Sequence, residues 1–123
     1  MPDKKMDKKN IELAKTLEDN AREYYYNAVE AEKKRQFNSS VTLFFKALSS
    51  LADLYILKNK DFMPSNHTER FRILEEDYPN IYIILDDSFP LYQGSYRDKL
   101  KQETSEVLKR NAGRLFEILN ISI

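Results

Sequence analysis

Asn38-Ser-Ser-Val-Thr-Leu-Phe-Phe-Lys-Ala-Leu-Ser-Ser-Leu-Ala-Asp-Leu-Tyr-Ile-Leu-Lys-Asn-Lys60 is the stretch whose pattern decides the fold. Val41, Phe44, Phe45, Leu48, Leu51, Ala52, Tyr55 and Ile56 recur at steps of three and four residues, which gathers them on one wide face of an α-helix. Leu43, Ala47, Leu54 and Leu57 run down another side at the same spacing. One apolar face makes a surface helix, whereas two require cover on both sides, so this segment is expected at the centre of a bundle. Each of its large side chains, if fully buried, contributes roughly 1.5–3 kcal/mol relative to exposure, enough for the segment to carry much of the core.

Towards the N-terminus, Ala14, Leu17, Ala21, Tyr24, Tyr25, Ala28 and Ala31 repeat with helical spacing, predicting a first long helix from about Ile11 to Arg35. Lys33, Lys34 and Arg35 sit where a helix C-terminus favours cations. Gln36 and Phe37 leave room for a short turn, with Asn38 as N-cap of the central helix, and so short a link makes the pair an antiparallel hairpin. Residues 1–10 alternate Asp and Lys with little to bury and read as a flexible charged lead-in to a single domain over 11–123. One stripe cannot take all of Tyr24-Tyr25-Tyr26, so Tyr26 is expected to face solvent or a partner.

Towards the C-terminus, Asn66 followed by Glu69 forms a capping-box pattern for a third helix that buries Phe71 and Leu74 and ends at Tyr78-Pro79. Ile81 to Leu85 fits an isolated strand or a short buried helix, which periodicity does not separate, and the helix is favoured because no second strand is available to pair with it. Asp86-Asp87-Ser88-Phe89-Pro90 is expected to break the chain. Gly94-Ser95 then precedes a last helix, Tyr96 to about Asn120, turning Leu100, Val107, Leu108, Ala112, Leu115, Ile118 and Leu119 towards the central one. The fold class is all-α: an antiparallel up-and-down bundle of about four to five helices.

Composition narrows the chemistry. A chain of 123 residues suits one domain, and the absence of cysteine excludes disulfides, thiolate zinc sites and a cysteine nucleophile together. Lys plus Arg and Asp plus Glu balance at 20 each, so no whole-molecule field draws the protein to nucleic acid or an anionic membrane, and any such contact must be a local patch. No unbroken run reaches the ~18 apolar residues of a membrane span, and the charged start lacks a signal-peptide core, which predicts a soluble cytoplasmic protein without membrane contact. The acids Glu75, Glu76, Asp77, Asp86 and Asp87 share no rigid face, Lys109, Arg110 and Arg114 are interleaved with acids, and no glycine-rich phosphate loop or nucleophile elbow is present. No metal and no cofactor are expected.

His67 is the single histidine, so any imidazole chemistry must use it. Arg70, three positions on, projects from the same side of the third helix. Tyr92, Tyr96 and Arg97 form a second polar group at the expected start of the last helix. The third helix begins where the central one ends, and an antiparallel last helix must start near that end. The five residues are therefore expected to line one concave surface at the mouth of the bundle, where tyrosine faces and guanidinium forks suit a base and a phosphate. Arg70→Ala and Arg97→Ala are expected to weaken a ligand there and leave the fold intact, as exposed arginines contribute little to stability.

The Tyr-rich hairpin, Ser65-Asn66-His67-Thr68-Glu69-Arg70 leading into a third helix, and Tyr96-Arg97-Asp98 before the final one together resemble the HEPN domain over roughly Arg22 to Leu119. The resemblance implies a helical bundle acting in nucleotide or RNA biology, often a homodimer, found alone or beside a nucleotidyltransferase partner. Many members are ribonucleases through an Arg followed by His after four to six residues. Here Lys60, Asp61 and Phe62 occupy the positions of that arginine, which makes this a non-catalytic, binding-type member, with a metal-independent ribonuclease as a lesser reading. The hairpin is also similar to a tetratricopeptide repeat at Tyr24, Ala28, Phe37, Phe44 and Ala47, which would imply a protein-interaction module. Ala52 stands where that repeat's proline would be, and no second copy follows. The Tyr24 to Tyr26 run and the second apolar row of the central helix separately suggest a homodimer.

Overall fold

A computed structural model describes residues 6–123, and within them it is all-helical: α1 Lys8–Lys33, α2 Phe37–Lys60, α3 His67–Asp77, α4 Pro79–Gly94 and α5 Gln102–Ile118. The helix α2 lies between α1 on one side and α4 and α5 on the other. Val41, Phe44, Leu48, Leu51, Ala52 and Ile56 are fully buried, and Tyr55 is half-buried. In the second row Ala47, Leu54 and Leu57 are also fully buried and Leu43 partly so. Leu54 and Leu57 pack against Ala14 and Leu17 of α1, with Leu119 and Ile121 of the C-terminal segment closing over them. Leu54 and Leu57 are thus covered within one chain, by α1 and the tail, while Leu43 stays partly exposed.

The α1 helix begins earlier than its apolar repeat. Asp7 caps it by accepting from the Asn10 backbone N–H at 2.9 Å, and the Asn10 side chain donates to the carbonyl and carboxylate of Asp61 at the end of α2. Capping rather than burial draws Lys8–Asn10 out of the charged lead-in, while residues 1–5 lie outside the described residues. Gln36, not Asn38, is the N-cap of α2. Asn38 sits in the first turn, and its side chain serves a distant segment: it donates to the carbonyls of Ser95 (2.9 Å) and Asp98 (2.7 Å) and accepts from the Leu100 N–H.

The capping box of α3 forms with one change. Asn66 Oδ1 accepts from the Glu69 N–H, while the Glu69 carboxylate reaches back to Ser65 rather than to Asn66. Leu74 and Ile73 are buried, and Phe71 is half-buried. The expected break at Asp86 to Pro90 is absent, for α4 runs through Pro90 to Gly94. Ser88 is buried with its hydroxyl on the Ile84 carbonyl, and Phe89 packs on Phe45 and Phe71, so burial holds the helix across the missing proline donor. Helix α5 starts at Gln102, six positions later than Tyr96, because the intervening connection is tied down by Asn38. Phe116 is buried on α5 with Leu108, Ala112 and Leu115, and it meets Tyr25 edge-on at 5.5 Å.

A polar chain joins three helices beside this core. Ser40 Oγ and Ser105 Oγ lie 2.7 Å apart, Ser105 Oγ donates to Glu32 Oε2 at 2.6 Å, and Lys109 Nζ reaches Glu32 Oε1. By length and composition α2 could cross a membrane, although Lys46, Ser49, Ser50 and Asp53 interrupt its apolar run. Its most apolar window is 72% buried by the rest of the chain, which accounts for its character.

Candidate functional site

Asp53 is the one acidic residue of α2, on a helix otherwise committed to the core, and it is 3% exposed. An isolated carboxylate buried so far needs a partner, and Arg70 supplies it from the first turn of α3. Arg70 Nε donates to Asp53 Oδ1 at 2.7 Å and its NH2 to Oδ2 at 2.9 Å, a bidentate fork in which both side chains are almost fully covered. The remaining terminal nitrogen, NH1, lies 2.7 Å from His67 Nδ1. A guanidinium can only donate, so Nδ1 accepts and the imidazole proton sits on Nε2. Asp53, Arg70 and His67 therefore form a relay that fixes one tautomer.

Burial pushes the Asp53 carboxyl up from its ordinary value, and the Arg70 fork opposes the shift. We assign an ionised carboxylate at neutral pH, since both of its oxygens accept from a permanent cation. His67 is held below the usual imidazole range, first by desolvation and then by the Arg70 charge, so it is neutral and offers a donor at Nε2. Its Nδ1 lone pair is already taken. The ring rests beside Phe45 and Phe89, at centroid distances of 6.1 and 5.8 Å.

These groups border a cleft of about 270 Å³ between α1, α2, α3 and α4, whose walls include Tyr24, Phe45, Lys46, Ser49, His67 and Tyr92. Tyr92 stacks on Phe45 at 4.4 Å, nearly parallel. Lys46 Nζ stands 5.9 Å from the Tyr24 ring centre, and Lys46 is the charge left over once Asp53 and Arg70 have paired. The Ser49 hydroxyl is buried without a hydrogen-bond partner among the described residues. A buried polar atom in that state has unspent capacity for a ligand.

The five residues expected to share this surface divide. His67, Arg70 and Tyr92 line the cleft. Tyr96 stands at its rim, its hydroxyl 2.9 Å from that of Tyr92, with the residue 75% exposed. That hydrogen bond, with burial, pushes the Tyr92 hydroxyl up to about 12, so Tyr92 stays neutral. Arg97 does not line the cleft, because α4 ends at Gly94 and the chain turns away before α5 begins. Arg70 is likewise not the exposed residue expected: at 8% exposure it is part of a buried pair, and its removal bears on the fold as well as on a ligand. Sequence reasoning missed Asp53, Lys46 and Ser49. The signal for Asp53 was a single carboxylate between Ala52 and Leu54 on a helix apolar on two sides.

Chemically the cleft combines aromatic walls, one fixed N–H donor, and, among the described residues, an ammonium without a carboxylate partner and an unpartnered hydroxyl. Among the described residues no group of three or more His, Asp or Glu side chains is placed to hold a metal ion. No protein-family model, curated protein or solved structure matches the chain.

Proposed function

We propose that the chain is a non-catalytic binding domain for a nucleotide, free or as part of an RNA, and that the base enters the cleft between α1 and α4. The observation that carries this reading is the His67 imidazole, locked by Arg70 as an Nε2–H donor beside stacked aromatic rings. A donor of fixed direction and an aromatic wall are what a planar ring with acceptor atoms requires. Lys46 supplies a cation for a phosphate at the open side. A volume of about 270 Å³ falls just below the usual ~300–1,000 Å³ of small-molecule sites, which favours one base or mononucleotide over anything larger. His67 Nδ1 and the Asp53 carboxylate, the two basic groups these residues bring to the cleft, are both engaged by Arg70, which supports binding over catalysis.

The resemblance to HEPN domains belongs to the same proposal, with a nucleotidyltransferase as partner and a reducing cytoplasm as the compartment. A homodimer now rests on Tyr26, which is 66% exposed, and a monomer mass by light scattering would remove it. The reading is tested by thermal denaturation with each of the common ribonucleoside monophosphates, because a ligand bound only by the folded state raises the melting temperature by mass action. We expect a rise with at least one of them, abolished by Lys46→Glu. No rise with any of them at millimolar concentration refutes the proposal.

A further inference from the structure

A second cavity, about 790 Å³, opens at the N-terminal end of α2, between the α1–α2 turn and the connection that leads into α5. Arg35, Lys99 and Lys101 line it against a single carboxylate, that of Glu103. A local excess of two positive charges is thereby set on a chain whose net charge is zero. None of the three cations is paired with a carboxylate among the described residues. Arg35 is held in place by the Phe37 ring, 5.2 Å from its guanidinium carbon, and the backbone bearing Lys99 and Lys101 is held by the three Asn38 hydrogen bonds. These cations are therefore presented by fixed backbone, around a space, and without internal compensation.

The first turns of α2 and α5 line the same cavity, and neither N-cap, Gln36 or Lys101, makes a side-chain capping bond. Their uncapped N–H groups add to the positive field already set by the side chains. We propose that this cavity is a binding site for phosphate groups, separate from the aromatic cleft. Ser39 in this cavity and Phe45 in the cleft lie six positions apart on α2, about 9 Å at the helical rise of ~1.5 Å per residue, and the two linings share no residue. The proposal stands whether or not the cleft takes a base. A tetrahedral oxyanion with several acceptor oxygens suits this set of lining groups, a guanidinium, two ammonium groups and the first turns of two helices. A phosphate of this kind comes either from a small polyphosphate or from the backbone of a single strand.

The test is a titration of the full chain, followed by the amide resonances of Phe37, Asn38, Ser39, Gln102 and Glu103, first with sodium pyrophosphate and then with a short single-stranded oligonucleotide. Saturable shifts at these amides with pyrophosphate identify a small polyphosphate site. A response confined to the oligonucleotide identifies a strand-backbone site. In either case Lys99→Glu with Lys101→Glu should lower the affinity roughly tenfold or more. Both lysines are exposed, and the milder Lys99→Gln with Lys101→Gln serves if charge reversal disturbs folding, as read by circular dichroism. Absence of shifts at these five amides with both ligands overturns the proposal, and so does wild-type affinity in the folded lysine variant.

Discussion

Replacing Arg70 with alanine removes the only side chain among the described residues that hydrogen-bonds Asp53 and leaves a carboxylate at 3% exposure without compensation. Breaking a buried, hydrogen-bonded ion pair from one side costs about 3–5 kcal/mol. In a domain of this size each kcal/mol moves the melting temperature by about 3–5 °C, so Arg70→Ala should lower it by roughly 10–20 °C. Arg97→Ala, on an exposed residue outside the cleft, should stay within about 0.5 kcal/mol of the wild type. Urea denaturation followed by circular dichroism measures both. The cause can be isolated by acidification: burial already raises the Asp53 carboxyl, and without Arg70 it would protonate at still higher pH, so the deficit of Arg70→Ala should shrink as pH falls. Arg70→Lys should recover little, because a point charge cannot reproduce the fork. Asp53→Leu with Arg70→Met should recover most of the loss by removing both charges. A loss under about 1 kcal/mol in Arg70→Ala, or a double variant as weak as the sum of its single changes, would refute the buried-pair argument.

Other outcomes follow from the same contacts. The folded His67 value lies below the ordinary 6.5, so between the two values the unfolded chain binds the proton more readily. The stabilisation from His67 is therefore complete above about 6.5 and is lost as pH falls towards the folded value; wild type should show this acid-side loss and His67→Gln should not, read as urea midpoint against pH. Asn38→Ala removes three hydrogen bonds to the α4–α5 connection and should cost about 1–3 kcal/mol, with faster amide exchange at Leu100. Pro90→Ala restores a backbone donor on the exposed side of α4 and should raise stability by roughly 1–2 kcal/mol; a decrease would mean the proline is favoured by local packing.

The centre of the fold was legible because α2 repeats its apolar residues over 24 positions, long enough for the helical period to stand out. Local punctuation was less trustworthy. Asp86 to Pro90 carries the residue types of a break, yet Ser88 is buried and Phe89 half-buried against Phe45 and Phe71 on the same helix, and packing outweighs one lost hydrogen bond. Asn38 has the chemistry of a cap, but its amide is engaged by carbonyls 57 and 60 residues away, which no local pattern reports. The same limit divides the site. His67 and Arg70 are three apart on one helix, so their contact follows from spacing alone. The Asp53 fork depends on how α3 sits against α2, and Arg97 was assigned to the wrong surface because the start of α5 was placed six residues early.

The apolar character of α2 also has a bearing on how the chain is made. Synthesis delivers α1 first, and the short turn lets it close along α2 as soon as both have emerged, covering Leu54 and Leu57 with Ala14 and Leu17. Among the described residues, the face that ends against Leu108, Ala112, Leu115 and Phe116 waits for α5 to leave the ribosome. Through that interval a 24-residue helix apolar enough for a bilayer is open along one side. The half-made protein is thus the form with most to offer a chaperone or a membrane, and truncation within α5 should be more damaging to solubility than truncation of the charged lead-in.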